Sequence, residues 1–575
     1  MILYALKEYY DRKVDEPDSG MAPLGWEYKE IPFIIVLDEN GNLVGVEDTR
    51  EGEGRNRRAR RFLVPQGVKK TSGVVANLLW DTAAYVFGVD VKSNPARALN
   101  QKQAFFERVA NELGDVDAIQ PIITFLQSFS LDKLEKEANW KEILDTNPNL
   151  SFRFHGDTNL VCRHHEISSR INQLIHSSDE GTSGVCLLTG QQTQIKPLHT
   201  AIKGVYGAQS SGANIVSFNL GAFRSYGKEQ GLNSPIGFES EFAYTTGLNN
   251  LLGRDSKQRV LIGDATTIFW SQEPTSFESD FAQFFSEPPK DAPDAGTENI
   301  KALIDSVNTG AYKHDDGKTQ FYILGLSPNA SRIAIRFWHQ GTVFEFAQYI
   351  KQYFDDFTIV KPAYEPEHYS VWRILVNIAT QDKSENIPPN LAGDFMKAIL
   401  SGSPYPVTLL HAALRRINSD TEGRVKPVRA ALIKAYLSRY HRFYPSKYTK
   451  EVGIALDTTH PSNGYQLGRL FATLEKIQEE ANPGINTTIR ERYYGAACAS
   501  PVTVFANLLR LKNHHLAKMD DKRRVVFFEK LLGEIMLNLD DFPAHLDLHE
   551  QGRFAIGYYH QRQDFFTKKG TVASA

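Results

Sequence analysis

Beyond about residue 389 the apolar residues of this chain fall at helical spacing, and that periodicity limits its end to a helix bundle. Leu467, Leu470, Leu474 and Ile477 form one stripe. Val504, Leu508 and Leu511 form a second, and Phe528, Leu531, Leu532 and Ile535 a third. Breaks at Asn482-Pro-Gly, Ala499-Ser-Pro and Asp540-Asp-Phe-Pro separate them, as antiparallel neighbours require. The fold class expected is α+β and multi-domain: a mixed α/β N-terminal region, then an all-α C-terminal helical bundle. A single core stops growing at roughly 250–300 residues, and this chain has 575. Asp382-Lys-Ser-Glu-Asn-Ile-Pro-Pro389 has linker composition. The expected domains are 1–385, a helical connection at 386–455, and the bundle at 456–575. No internal repeat is present.

The first part reads differently. Leu3, Leu6 and Tyr10 open the chain with a short amphipathic helix. Pro32–Asp38 and Asn42–Glu47 flank Asn40-Gly41, a hairpin signal because both residues tolerate positive φ. Arg50–Arg61 holds six arginines in twelve residues, interrupted by glycine, and reads as a mobile loop. Ser72–Gly88 reads as helix, and helices continue to about Trp140. From about Leu150 strands and loops dominate, with strands at Val185–Thr189, Asn214–Phe218, Arg259–Ile262, Thr267–Trp270, Phe321–Leu324 and Arg332–Trp338. Gln272–Asn299, rich in Pro, Asp, Glu and Ser, reads as a surface excursion.

Composition excludes several classes. Lys and Arg total 65 against 68 Asp and Glu, for a formal charge of −3. Any surface for a polyanion must therefore come from local clustering. Cys162, Cys186 and Cys498 lie far apart and read as reduced thiols. The opening Met1-Ile-Leu-Tyr-Ala-Leu-Lys-Glu meets charge too soon for a signal peptide. No stretch approaches the ~20 apolar residues of a membrane helix. The expectation is a cytoplasmic protein without a membrane partner.

Groups that could carry chemistry have plainer readings. Cys162-Arg-His164-His165 with Cys186 lacks the paired short spacings of a zinc site and suits buried or hydrogen-bonded residues better. His314-Asp315-Asp316 has the His-Asp pair of metal-dependent phosphohydrolases, but without further ligands nearby. Gly181-Thr-Ser-Gly lacks the spacing of a nucleophile elbow. Gly204–Gly212 has the composition of a phosphate cradle without GxxxxGK[ST]. No active site, metal or cofactor is expected.

Two segments suit binding. In residues 50–73 the arginine cluster leads into Val64-Pro-Gln-Gly-Val-Lys-Lys-Thr-Ser-Gly73. Arginines draw phosphates through charge and counterion release, while Gly-borne donors can approach base edges. A solvated charged loop would have the same composition. Lys203–Asn233 interleaves small residues, amides, cations and aromatics with little acid. That mixture fits a sugar–phosphate backbone with stacked bases, and equally a Gly-rich structural crossover.

The same residues carry a resemblance. Met1-Ile-Leu-Tyr-Ala-Leu-Lys-Glu-Tyr-Tyr-Asp-Arg, the Val64-Pro…Thr-Ser-Gly…Asn77 segment and Gly207-Ala-Gln-Ser-Ser-Gly-Ala…Ser225-Tyr-Gly-Lys-Glu-Gln…Asn233 are similar to the large subunit of the subtype I-C CRISPR Cascade complex, a Csd-type CRISPR-associated family. So are Leu324-Gly-Leu-Ser-Pro-Asn-Ala-Ser-Arg332 and Arg492-Tyr-Tyr-Gly-Ala-Ala-Cys-Ala-Ser-Pro501. The resemblance implies a non-catalytic subunit of an antiviral effector that recognises the protospacer-adjacent motif in double-stranded DNA and assists R-loop formation. It implies crRNA and target DNA as partners, with the handle-binding, backbone and small subunits and a helicase-nuclease. The C-terminal bundle would correspond to the small subunit. On that reading the motif-facing donors are Gln66, Lys69, Lys70, Thr71, Ser72 and Asn77, and Gln209 is the wedge between strands. Arg55, Arg57, Arg58, Arg60, Arg61, Lys203, Arg224 and Lys228 would hold phosphates. The alternatives are a metal-dependent nuclease using His314 and Asp315, or a purely structural assembly subunit.

Overall fold

The computed structural model places six short strands early in the chain: β1 (Trp26–Glu30), β2 (Phe33–Leu37), β3 (Leu43–Asp48), β4 (Arg50–Glu51), β5 (Arg58–Ala59) and β6 (Arg61–Pro65). The residues described are 1–16, 19–54, 57–68, 70, 73–89, 94–130, 134–177, 182–262, 265–285, 297–309, 315–420, 425–445 and 448–566. The Asn40-Gly41 hairpin joins β2 to β3. Asp38 accepts the amides of Asn40 and Asn42 at 2.9 and 2.7 Å, and Gly41 has φ +81°. These bonds, the Asn42 side chain first, hold the Asp38 carboxyl below its ordinary range.

The chain clusters into two units, Met1–Ile202 with Val216–Asn250, and Lys203–Ile215 with Leu251–Ala575. In the first, β7 (Trp80–Thr82) and β8 (Asn149–Phe154) complete a mixed sheet of order β3-β2-β8-β7. β2 pairs antiparallel with β3 and parallel with β8. As a central strand β2 is apolar throughout, and it is buried over most of its length. Helix Pro95–Leu113, capped by Asn94 with Pro95 in its first turn, buries Ala98, Phe105, Val109 and Leu113. Phe105 and Phe125 both pack on Phe152 of the sheet.

Several expectations change here. The arginine-rich segment is not a free loop: β4 pairs with β5, and β6 pairs with β1 over five residue pairs. Ser72–Gly88 is helical only over Ala83–Phe87, because Trp80–Thr82 is taken by the edge of β8 and Leu79 adopts φ +61°. Asn214–Phe218 is no strand; Asn214 makes an isolated bridge to Arg332. A strand Thr182–Val185 (β9), paired with β10 (Gln192–Ile195), ends where Val185–Thr189 was expected to begin. Helices His165–Ser177 and Phe238–Leu251 interrupt the region read as strands and loops.

The second unit holds an antiparallel meander of β11 (Arg259–Ile262), β12 (Ala265–Ser271), β13 (Gln320–Asn329) and β14 (Arg332–Thr342). Gln272–Asn299 proves to be core at its start. Helix Ser276–Phe285 buries Phe277, Phe281, Phe284 and Phe285, and Phe277 and Phe281 lie 4.9 and 5.2 Å from Phe321. Helix Val343–Phe357, opened by a Thr342–Glu345 capping box, packs Phe346 on the same ring at 5.8 Å. One hydrophobic core runs from Val260 to Tyr559. Within it the three expected stripes become helices Asn463–Ala481, Phe505–Lys518 and Lys522–Leu537. The linker-like segment forms two 3-10 turns, and Asp382 there meets Arg416, Lys426 and Arg429 at 3.0 to 3.3 Å.

Helix Asn463–Ala481 is buried on nearly all sides and lies directly against helix Leu548–Phe566. Glycine permits that approach. A methyl group at Gly468 would run into the carbonyl of Phe554, and one at Gly557 into that of Tyr465. Gly468→Ala is expected to lower the unfolding free energy by about 2 kcal/mol through overpacking. Gly533→Ala, with nothing within 4 Å of the new methyl, should raise it by up to about 1 kcal/mol; urea melts measure both.

Burial of His560 holds its pKa at about 4, and burial with the charge of Lys397 does the same for His339. Both lie below the unfolded value of about 6.5, so the neutral ring is the buried form. Their contribution is complete above pH ~6.5 and is lost as pH falls toward 4. His560→Gln is expected to remove up to about 3 kcal/mol of that acid dependence, read as a flatter plot of melting temperature against pH.

Candidate nucleic-acid interface

The β1/β6 ribbon and the chain that leaves it assemble the first candidate segment. β1 alternates apolar and charged residues over Trp26-Glu-Tyr-Lys29, and this short period-2 signal was legible but unread in the sequence. Its cross-strand pairs Tyr28↔Leu63 and Glu30↔Arg61 set the register. The Arg61 guanidinium lies 5.8 Å from the Tyr28 ring, and that of Arg60 5.6 Å from Phe62. Arg163 lies 5.3 Å from the ring of Trp26.

The arginines have unequal fates. Arg50 chelates Asp48 at 2.7 and 2.9 Å, pairs with Glu142, and sits 4.6 Å from the Phe33 ring. Arg57 reaches Asp48 at 2.5 Å. Hydrogen bonding from Arg50 holds both carboxyls below their usual range. Arg58 and Arg61 are exposed and make no ion pair among the described residues, and Arg60 has only a loose 3.8 Å contact with exposed Glu51. Arg55 lies outside the described residues. Three cations thus face solvent in succession: Arg58 on β5, Arg60 between the strands, and Arg61 at the start of β6.

The chain that follows is anchored at Gln66–Val68 and again at Asn77 and Trp80. The Gln66 amide donates to Gly25 at 2.8 Å, and that of Gly67 to Glu27 at 3.0 Å. The Val68 amide donates to the Asn77 side chain at 3.0 Å, and the Trp80 indole donates to the Pro65 carbonyl at 2.8 Å. Asn77 was expected to face a duplex. It is buried, and its oxygen holds the loop instead. Lys69, Thr71 and Ser72 lie outside the described residues. Lys70 reaches both oxygens of Asp81 at 2.7 Å and sits 3.7 Å from the centre of the Tyr85 ring. Asp81 is 1% exposed and also accepts the amides of Asn77 and Thr82 at 2.8 Å.

Lys203–Asn233 is divided between the two units. Lys203 and Gln209 belong to Lys203–Ile215, packed at β12 and β14. The Tyr206 amide donates to Thr266 at 2.8 Å and that of Ile333 to the Asn214 carbonyl at 3.0 Å. Gln209 is exposed, its carbonyl closing a turn on the Gly212 amide at 2.9 Å. Arg224 and Lys228 belong to the other unit, on a stretch from Asn219 to Gln230 in which every residue is exposed. Arg224 pairs with Glu229 at 2.8 Å.

The possible catalytic groups do not converge. Cys162 is buried and its thiol is pushed up to about 12 by that burial, while His164 and His165 face solvent. His314 lies outside the described residues, and among those described no three His, Cys, Asp or Glu side chains gather around a metal-sized space. No described helix is long and apolar enough to cross a membrane.

Lys70→Ala leaves the buried Asp81 carboxylate without its cation. It is expected to cost about 2 kcal/mol of stability, seen as a lower melting temperature whether or not nucleic acid is present. Arg58→Gln, at an exposed position of β5, should leave the melting temperature unchanged.

A family model described as CRISPR-associated protein (Cas_Csd1) matches residues 6–566. No curated protein matches the chain.

Proposed function

The chain belongs to the CRISPR-associated Csd1 family, and from that premise we propose that it is the large, non-catalytic subunit of a subtype I-C Cascade effector. In that role it recognises the protospacer-adjacent motif in double-stranded DNA, assists strand separation and R-loop formation, and docks the helicase-nuclease. Its partners are crRNA, target DNA, and the handle-binding, backbone and small subunits.

The observation that carries a DNA-binding role is the set of Arg58, Arg60 and Arg61, exposed where β5 leads into the β1/β6 ribbon, while neighbouring Arg50, Arg57 and Lys70 are spent on carboxylates. Backbone held by the β4–β5 and β1–β6 pairing can bring guanidinium groups to phosphates at a lower ordering cost than a free loop. The adjoining loop from Gln66 to Asn77 starts at the end of that ribbon, so phosphate contacts there would set its register on the duplex. Gln66, Lys69, Thr71 and Ser72 remain the proposed base-facing donors. Asn77 and Lys70 support the loop from within, and Gln209 on its exposed turn remains the proposed wedge.

The test uses the assembled complex with crRNA and target duplex. Replacing Arg58, Arg60 and Arg61 together by Gln is expected to weaken binding to duplexes with and without the motif alike. The log–log salt slope should flatten by about 2.7, at ~0.9 per lost phosphate contact. Unchanged affinity and slope would overturn the ribbon's role.

A further inference from the structure

One side chain in the exposed stretch Asn219–Gln230 is displayed rather than packed. Tyr226 is 99% exposed, with both ring faces open. It stands at the tip of a turn closed by the Lys228 amide on the Ser225 carbonyl at 2.9 Å. The two central residues, Tyr226 and Gly227, have φ +51° and +71°, and Gln230 has φ +45°. Gly accepts such angles freely, whereas Tyr and Gln adopt them at a cost that the surroundings must meet.

Here those surroundings can be named. The Asn233 side chain accepts the Ser225 amide at 3.1 Å and donates to the carbonyls of Lys228 and Gln230 at 3.2 and 3.0 Å. At the base, the Gly231 amide donates to the Pro197 carbonyl at 2.9 Å, and a methyl at Gly231 would strike the carbonyls of Lys196 and Pro197. The turn is therefore shaped before any ligand arrives, and a large apolar ring is held in water at its apex.

We propose that Tyr226 is a stacking residue that takes an unpaired nucleobase of a single strand; this rests on the nucleic-acid reading above. The chemistry beside the ring selects that occupant. Ser225 and Gly227 are its neighbours, and Arg224 and Lys228 lie two residues to either side. Glu229, the one acidic residue between Asn219 and Gln230, is held by Arg224. An open aromatic face with Lys228 beside it, in no ion pair among the described residues, matches a base with its phosphate, because every base has a π-face and stacking needs no particular sequence. An apolar protein surface would meet polar and cationic neighbours around that ring.

Fluorescence anisotropy of the full chain, and of the assembled complex, with labelled oligo-dT, oligo-U and a blunt duplex tests the assignment. Tyr226→Ala is expected to weaken single-strand binding roughly tenfold, while Tyr226→Phe retains it and duplex affinity is unchanged. The dT and U arms identify DNA or RNA as the strand held. Equal single-strand affinity for wild type and Tyr226→Ala would overturn the stacking role, and a persisting effect of the ribbon triple variant would leave the wider reading standing. Failure of the wild-type complex to bind any strand or duplex would overturn both. Unchanged strand affinity with lost assembly of partner subunits would make the ring a protein contact and overturn the proposal.

Discussion

Burying a charge without a partner costs several kcal/mol, and the helical part of this chain is built around meeting that condition. Glu475 is wholly buried; it accepts hydrogen bonds from Tyr558 at 2.6 Å and Thr488 at 2.8 Å, and pairs with Arg562 at 2.9 Å. Arg439, equally buried, pairs with Asp356 at 2.7 Å, and Arg442 meets the same carboxylate at 2.8 Å. Arg553 is held between Glu451 and Glu550. Each cluster joins segments distant in sequence, so the apolar stripes close in one register.

The same condition sorts the cations of the N-terminal unit. Arg50, Arg57 and Lys70 are taken by Asp48, Glu142 and Asp81. Arg58 and Arg61 are not, and Arg60 barely is. A nearly neutral molecule can offer a polyanion a positive surface only where such internal pairing stops. Local geometry then determines what that surface can do. Arg58 and Arg61 stand on paired strands with Arg60 between them, whereas the Asn233-laced turn displays a ring.

Periodicity made much of the fold legible. The stripes through Leu467, Leu508 and Phe528 became three helices, and Asn40-Gly41 became a hairpin, because helical spacing and positive φ are local properties. Helix Ser276–Phe285 escaped notice because its Pro- and acid-rich flanks concealed a phenylalanine pattern of helical spacing. Ser72–Gly88 was misread because Trp80–Thr82 pairs with β8, about seventy positions away, and a long-range ladder overrode local preference. The arginine cluster was visible as composition. Its pairing with Ala59 and Glu30 through β4, β5 and β6 was not.

By itself, then, the sequence determined the mixed α/β start, the helical end and the stretches where positive charge and glycine gather, since period and composition are carried by neighbouring residues. Only the tertiary structure decided which of those charges remain available. Whether Lys70 meets a phosphate or a buried Asp81, and whether Asn77 faces a groove or supports a loop, depends on side chains brought together across the fold. Electrostatic attraction acts on distance in space, which sequence separation does not measure.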